Sequence, residues 1–328
     1  MNGRALGLVA LLAGACAPRT PTVASPATHA ETLERRPFVP RLDGAPVRAG
    51  VAYGPYRAGQ RPGGAQPTDA QILEDLRLIA PRWHLIRIYG SRGSTEAILR
   101  IIHDENLPLR VILGAWIAPD AAGENAAELE EAIRLAHTWE AEVVAVSVGN
   151  ETQVSWSDHR MAPQRLVVDL GMVRAAVDQP VTTADDYSFW TTPQSDPIAR
   201  EVDFLLVHAH PMWNGKTLDE AMPWTTDTLR AVATAHPGIP VVLGETGWAT
   251  ATNPEGPEAE HVRAPAGEAE QATFYRAFTA WAATTDQPWF WFEAFDEPWK
   301  GGDDPREIEK HWGLYDVDRA PKAALGGR

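Results

Sequence analysis

The sequence predicts a single catalytic-sized α/β domain, a (β/α)8 TIM barrel, and three observations carry that expectation. Eight short apolar runs alternate with longer helical patterns from about residue 46 to residue 328. Most of the runs are apolar throughout rather than alternating, as parallel strands covered on both faces should be. About 283 residues follow residue 45, close to the roughly 250 typical of such a barrel. An open doubly wound sheet is the rival, but it usually carries a Gly-rich turn after its first strand. No GxGxxG stands there.

The chain opens on a segment that reads as an address. Arg4 gives a short positive start, Ala5 to Leu12 are largely apolar, and Ala13-Gly14-Ala15 are small. Residues 1–16 therefore read as a signal peptide, too short to stay in a membrane as a spanning helix. Cys16 is the single cysteine. One cysteine excludes an intrachain disulfide framework and any multi-Cys metal site. Leu12-Ala13-Gly14-Ala15-Cys16 resembles a bacterial lipobox, although Ala13 stands where the usual pattern has Leu. That resemblance implies lipidation at Cys16 and a periplasmic or cell-surface lipoprotein, with a soluble secreted protein as the alternative. Residues 17–45, rich in Pro, Ala, Thr and Arg, read as a disordered linker.

The expected strands are Ala49–Tyr53, Leu85–Tyr89, Leu109–Gly114, Val143–Val148, Val181–Ala184, Phe204–His208, Val241–Glu245 and Trp289–Ala294. Helices are expected at Asp69–Ala80, Thr95–Glu105, Ala126–Trp139, Pro163–Val177, Leu218–His236 and Glu268–Thr284. Thr68, with Gln71 three residues on, is the expected cap of the first. The connection near Asp196–Arg200 reads as short or irregular.

Charge narrows the partners. Acids outnumber bases 44 to 29, for a net charge of -15. Residues 1–45 hold five bases and three acids, which leaves -17 on the remainder. Such a field repels nucleic acid and anionic membranes. It suits a neutral or cationic partner, with membrane contact only through the lipid anchor. Thirteen Trp offer many flat apolar faces.

Active sites of this barrel lie at the C-terminal strand ends. Tyr53 ends the first expected strand, and Arg87 and Tyr89 end the second. Asn150 and Glu151 follow the fourth, Asp185 and Tyr187 the fifth. His208 ends the sixth, Glu245 the seventh, and Glu293 and Glu297 lie at the eighth. Glu151 and Glu245 stand out, because each terminates an apolar run. Cleaving an acetal needs such a pair, one carboxyl protonated and one ionised. Separation decides the outcome: about 5–5.5 Å gives retention, about 6.5–9.5 Å inversion. Trp213, Trp248 and Trp299 lie beside these segments as candidate sugar-stacking faces, whereas Trp139 and Trp281 read as helical core. His208 and His210, two apart on a strand, share a face, but no further ligand cluster of matching type appears. No metal and no cofactor are expected.

Val146-Ser147-Val148-Gly149-Asn150-Glu151 resembles the Asn-Glu signature of clan A glycoside hydrolases, in the VGNE form of glycoside hydrolase family 17. Leu243-Gly244-Glu245-Thr246-Gly247-Trp248 resembles that family's nucleophile motif, with Ala249 where Pro is usual. Gly50–Gly54, Ile86–Tyr89, Phe292–Lys300 and His311–Leu314 resemble its first two strands, its last strand and the loop beyond. The resemblance covers roughly residues 48–318 and extends to bacterial β-1,3-glucanases and glucanosyltransferases. It implies a retaining enzyme on β-1,3-glucan, with Glu245 as nucleophile and Glu151 as acid/base. It further implies that Asn150 bonds the 2-hydroxyl of the reacting sugar. Arg87 and Tyr89 would tune Glu245, and Glu293, Glu297 and Lys300 would bind sugar hydroxyls. Hydrolysis and glucanosyl transfer both remain open, and a non-catalytic glucan-binding protein is the alternative outside enzymes. The expected partner is an oligo- or polymeric β-glucan, and the expected state a monomer.

Overall fold

The computed structural model describes residues 33–326. The signal peptide, Cys16 and linker residues 17–32 lie outside the described residues. Eight parallel strands close into a barrel, each hydrogen-bonded to the next in chain order and the last to the first. They are β3 (Ala49–Ala52), β4 (Leu85–Ile88), β5 (Arg110–Ala115), β6 (Val143–Asn150), β7 (Val181–Asp186), β8 (Leu205–His208), β9 (Val241–Thr246) and β10 (Trp289–Trp291). Every expected strand is present, displaced by at most a few residues at its ends. The (β/α)8 fold class is thus the one read from the sequence.

The outer layer follows from amphipathic spacing. In α1 (Asp69–Ile79) the residues Ile72, Asp75, Leu76 and Ile79 are buried, while Thr68 and Gln71 cap each other's backbone. In α2 (Thr95–Asp104) the inward face is Ile98, Leu99, Ile101 and Ile102. Next come α3 (Ala122–Thr138) and α4 (Pro163–Ala176), which starts on a proline whose missing N–H costs nothing there. The β7–β8 connection holds only single-turn helices, α5 (Tyr187–Trp190) and α6 (Asp196–Ala199). Two long helices, α7 (Leu218–Ala235) and α8 (Glu268–Ala282), complete the layer. Among the described residues no helix is long and apolar enough to cross a membrane.

Leu85, Ile112, Ala145, Ala184, Phe204, Leu206, Val242 and Phe290 fill the lower barrel interior. Each such side chain contributes about 1.5–3 kcal/mol when fully buried, Ala less. Phe38 lies against this cluster, stacked on Phe204 at 4.5 Å. Arg36 donates from its guanidinium to the carbonyls of Val177, Gln179 and Arg174, and its backbone N–H donates to Asp203. β1 (Arg41–Leu42) and β2 (Ala45–Pro46) then form a small antiparallel hairpin. Residues 33–45, expected as the end of a disordered linker, are therefore part of the barrel floor. Their composition hides this, because they dock through side chains onto carbonyls and one ring rather than through a periodic apolar face.

The other end of the chain is also clamped. Arg319 pairs with both oxygens of Asp75 at 2.8 Å. Arg57 joins the same carboxylate at 2.8 Å. Tyr53 donates to it at 3.2 Å and is only 1% exposed. Tyr53, expected in the cleft, is thus committed to this buried cluster. Position at a strand end did not reveal which way its ring turns.

Candidate active site

Gly149 makes the site's central turn. It sits at φ +79° where the β6–β7 register shifts, and Glu151 follows at φ +51°. A bulge of this kind re-aims the side chains beyond it. Here it swings Asn150 and Glu151 over the barrel mouth, and the N–H of Glu151 donates to the carbonyl of Ala184 at 2.8 Å. Glu245, inside β9, rises from the opposite side. One oxygen of Glu151, one oxygen of Glu245 and a ring nitrogen of His208 lie within 4.8 Å of one another.

Arg87 organises the centre from β4. Its Nη1 donates to Oε1 of Glu245 at 2.8 Å and to Nε2 of His208 at 2.8 Å. Its Nη2 donates to Oδ1 of Asn150 at 2.6 Å. A guanidinium has no acceptor, so the facing atom of Asn150 is its oxygen and the amide nitrogen remains to donate elsewhere. Tyr89 adds a hydroxyl donor to Oε1 of Glu245 at 2.8 Å, and His210 faces Oε2 at 3.1 Å. His208 reaches Glu151 through Nδ1 at 2.8 Å. With Arg87 bonded to both Glu245 and His208, the cluster already holds its counter-charge.

The two carboxyls are driven apart electrostatically. Burial, then the nearby charge of Glu245, pushes Glu151 up to about 8. Burial also acts to raise Glu245, but the groups around it, with the Arg87 guanidinium as the standing charge and His210 as a hydrogen-bond partner, outweigh it and hold the group below the ordinary carboxylate range. Burial pushes His208 down to about 3, so its ring is neutral near neutral pH. The standing charge that keeps Glu245 ionised is therefore Arg87. Tyr89 is pushed well above its ordinary range by burial and by Glu245, so it stays a hydroxyl donor.

A second cluster borders the first. Lys300 pairs with Glu293 at 2.7 Å and Glu297 at 2.8 Å. Burial works against its charge, yet the two carboxylates prevail and raise it. Trp299 donates to Glu297 at 3.0 Å. Gly54 lets Glu297 approach, since a Cβ there would lie 2.1 Å from its Oε1. Among the described residues Oε1 of Glu293 is buried without a hydrogen-bond partner.

The remaining expected residues divide. Asp185 lies wholly buried behind Glu151, accepting from the backbone of Gln153 and Asp186. It supports the loop that carries Glu151 rather than facing a ligand. Half-buried Tyr187 donates to Asn214 at 2.7 Å. Trp213 is half-buried and tilted against Trp312. Trp248 does not reach the cleft: it is fully buried against Phe274, with its N–H on the carbonyl of Pro265. Its place beside a motif was misleading, because it follows β9 and turns outward under α8.

His210, expected on the same face as His208, touches Glu245 itself. Sequence reasoning passed over other groups at the mouth. Glu309, pushed up to about 7 by burial, sits within electrostatic reach of Glu151. Trp116 and Trp156 are 37% and 61% exposed, and Trp116 meets His159 edge-on at 4.6 Å. Ending the third strand at Gly114 stopped that reading two residues short of Trp116. On the other flank, exposed Trp299 meets Tyr56 edge-on at 5.9 Å.

A parallel barrel with two glutamates converging at its mouth, one pushed up and one held down in pKa, is the arrangement that glycosidic-bond cleavage needs. Residues 50–313 match the BtgE/BtgC glycoside hydrolase domain, and the chain belongs to that family. It is 28% identical to a glucan 1,3-beta-glucosidase of Arthroderma benhamiae, over 80% of this chain and 86% of that protein. It is also 28% identical to a putative glucan endo-1,3-beta-glucosidase btgC of Aspergillus niger, over 79% of this chain but 40% of that longer one. Among solved structures, an endo-laminarinase from Formosa superposes with a TM-score of 0.76 at 25% identity, covering 85% of this chain and 86% of that one. A glycoside hydrolase family 17 beta-1,3-glucanosyltransferase from Rhizomucor miehei gives a TM-score of 0.70 at 24% identity, covering 84% and 95%, which speaks for the fold alone.

Proposed function

We propose that the protein is a retaining glycoside hydrolase acting on β-1,3-glucan. The observation that carries this reading is the close approach of Glu151 and Glu245, with oxygens within 4.8 Å, held in opposite protonation states. That approach supports direct attack rather than an interposed water. Glu245 is the nucleophile. Its Oε1 is occupied by Arg87 and Tyr89, so Oε2, which among the described residues only His210 approaches, attacks the anomeric carbon. Glu151 gives its proton to the departing glycosidic oxygen. The amide nitrogen of Asn150 donates to the 2-hydroxyl, a bond that strengthens as the ring flattens. Glu151, now ionised, takes a proton from the acceptor, whose oxygen displaces Glu245 and closes the cycle.

If water is the acceptor the result is hydrolysis; if a glucan hydroxyl, transfer. Trp116 and Trp156, exposed beyond Glu151, offer flat faces to a departing or incoming glucose and favour the transfer reading as the second one. Product analysis on laminari-oligosaccharides separates the two: products longer than the substrate report transfer, and only shorter ones report hydrolysis. Glu245→Gln should lower kcat on the order of 10^4-fold or more with the fold intact. Near-normal turnover in that variant would remove the nucleophile assignment.

The leader and Cys16 support export and a lipid anchor. Residues 33–40 reach the barrel at its floor, opposite the catalytic mouth, which suits a tether that leaves the cleft free. Cys16→Ala should release the protein from the membrane fraction; unchanged fractionation and processing would refute anchoring.

A further inference from the structure

We infer that His208 is a positioning residue that selects which oxygen of Glu151 carries the acid proton and ties that carboxyl to the guanidinium serving Glu245. The inference rests on the reading of Glu151 as acid/base. His208 is fully buried at the end of β8, and both ring nitrogens are engaged. Nε2 lies 2.8 Å from Nη1 of Arg87. A guanidinium can only donate, and Oε1 of Glu245, 3.2 Å from Nε2, already accepts from Arg87 and Tyr89, so Nε2 is the bare acceptor and the ring proton is on Nδ1. Nδ1–H therefore donates to Oε1 of Glu151, 2.8 Å away.

Two consequences follow. In the first half of the reaction, Oε1 of protonated Glu151 is occupied as an acceptor, which leaves Oε2 to hold the proton and deliver it. In the second half, Glu151 is ionised, and the same N–H becomes a charge-assisted donor that favours the base form. Arg87 touches both His208 and Oε1 of Glu245, so one guanidinium orients nucleophile and acid/base together. The groups facing His208 are Glu151 from β6, Arg87 from β4, Glu245 from β9, His210 from its own strand and Asp186 from β7. Glu151 is further influenced by Asp185 and Glu309. Burial holds the ring neutral, with its value down to about 3, so His208 acts by direction and not as a charge switch.

The test is the pH profile of kcat/KM on laminari-oligosaccharides, measured with the full chain. His208→Ala removes the donor to ionised Glu151, so the alkaline limb should move up by about one pH unit. KM should stay within about twofold while kcat falls about tenfold or more, the pattern of an interaction that matters in the transition state. His208→Asn, whose amide N–H lies near the place of Nδ1, should return the limb toward wild type. A wild-type limb in His208→Ala, or an Asn variant that stays with the Ala variant, overturns the inference. Should the Ala variant not fold, 15N shifts of the native enzyme decide: a neutral Nδ1–H ring, assigned by its loss in His208→Asn, supports it. A neutral Nε2–H ring or an imidazolium at about pH 7 overturns it. Glu151→Ala separates the two readings. If that variant keeps full activity, the acid/base reading fails; if it is inactive while the His208 variants keep a wild-type limb, the His208 inference alone fails.

Discussion

Glu151 and Glu245 are the same side chain, both largely withdrawn from water, yet they sit at opposite ends of the carboxyl range. Desolvation acts on both in the same direction. The difference lies in the partners: Arg87, Tyr89 and His210 all converge on Glu245, whereas among the described residues Glu151 meets His208 alone and feels the negative charge of its neighbour. A pH prediction follows with a definite sign. Activity requires Glu151 protonated, so kcat/KM should fall as pH rises through about 8. It requires Glu245 ionised, so the acid limb should lie below the ordinary carboxylate range. A pH–rate profile checks both, and loss of activity on the alkaline side already by about pH 5, near the ordinary Glu value, would contradict the assignment. The pair itself was legible in the sequence, because each glutamate ends an apolar run. Which residues face them was less so. Tyr53 and Trp248 also stand at strand ends, but ring direction depends on a distant Asp75 in one case and on the packing of α8 in the other.

At the scale of elements, β6 matters most. A plain strand would continue past Gly149 and point Asn150 and Glu151 to opposite faces. The left-handed turn at Gly149 and again at Glu151 brings both to the mouth. Gly149→Ala would strain that turn by about 1–2 kcal/mol. Its new Cβ would also lie 2.9 Å from Cγ2 of Thr152. The expected outcome is a drop in kcat of about tenfold, equal to about 1.4 kcal/mol, alongside a small loss of stability seen in denaturant. Wild-type kcat in that variant would show that the turn does not aim Glu151. The strands were readable because parallel strands buried on both faces leave unbroken apolar runs. The turn was not, since Gly149 in a sequence announces permissiveness rather than a conformation.

Across the whole molecule, the barrel is closed below by its own N-terminal segment. Phe38 and Arg36 seal the floor, and Arg319 and Lys322 pin the C-terminal segment against Asp75 and Asp296. Low periodicity made residues 33–45 look like linker, since side-chain docking onto carbonyls leaves no pattern to read. The Trp count now divides by place. Trp83, Trp190, Trp248, Trp291 and Trp312 are fully buried, while Trp116, Trp156 and Trp299 are exposed around the mouth. The three exposed rings follow the C-terminal ends of β5, β6 and β10, the end of the barrel that carries Glu151 and Glu245. The proposed mechanism turns on direct attack by Glu245, whose carboxyl oxygen lies within 4.8 Å of one from Glu151. Proton NMR of laminari-oligosaccharide cleavage, recorded before mutarotation, tests it most directly. Retention requires the first-formed reducing ends to be β-anomers; first-formed α-anomers would rule out direct attack by Glu245.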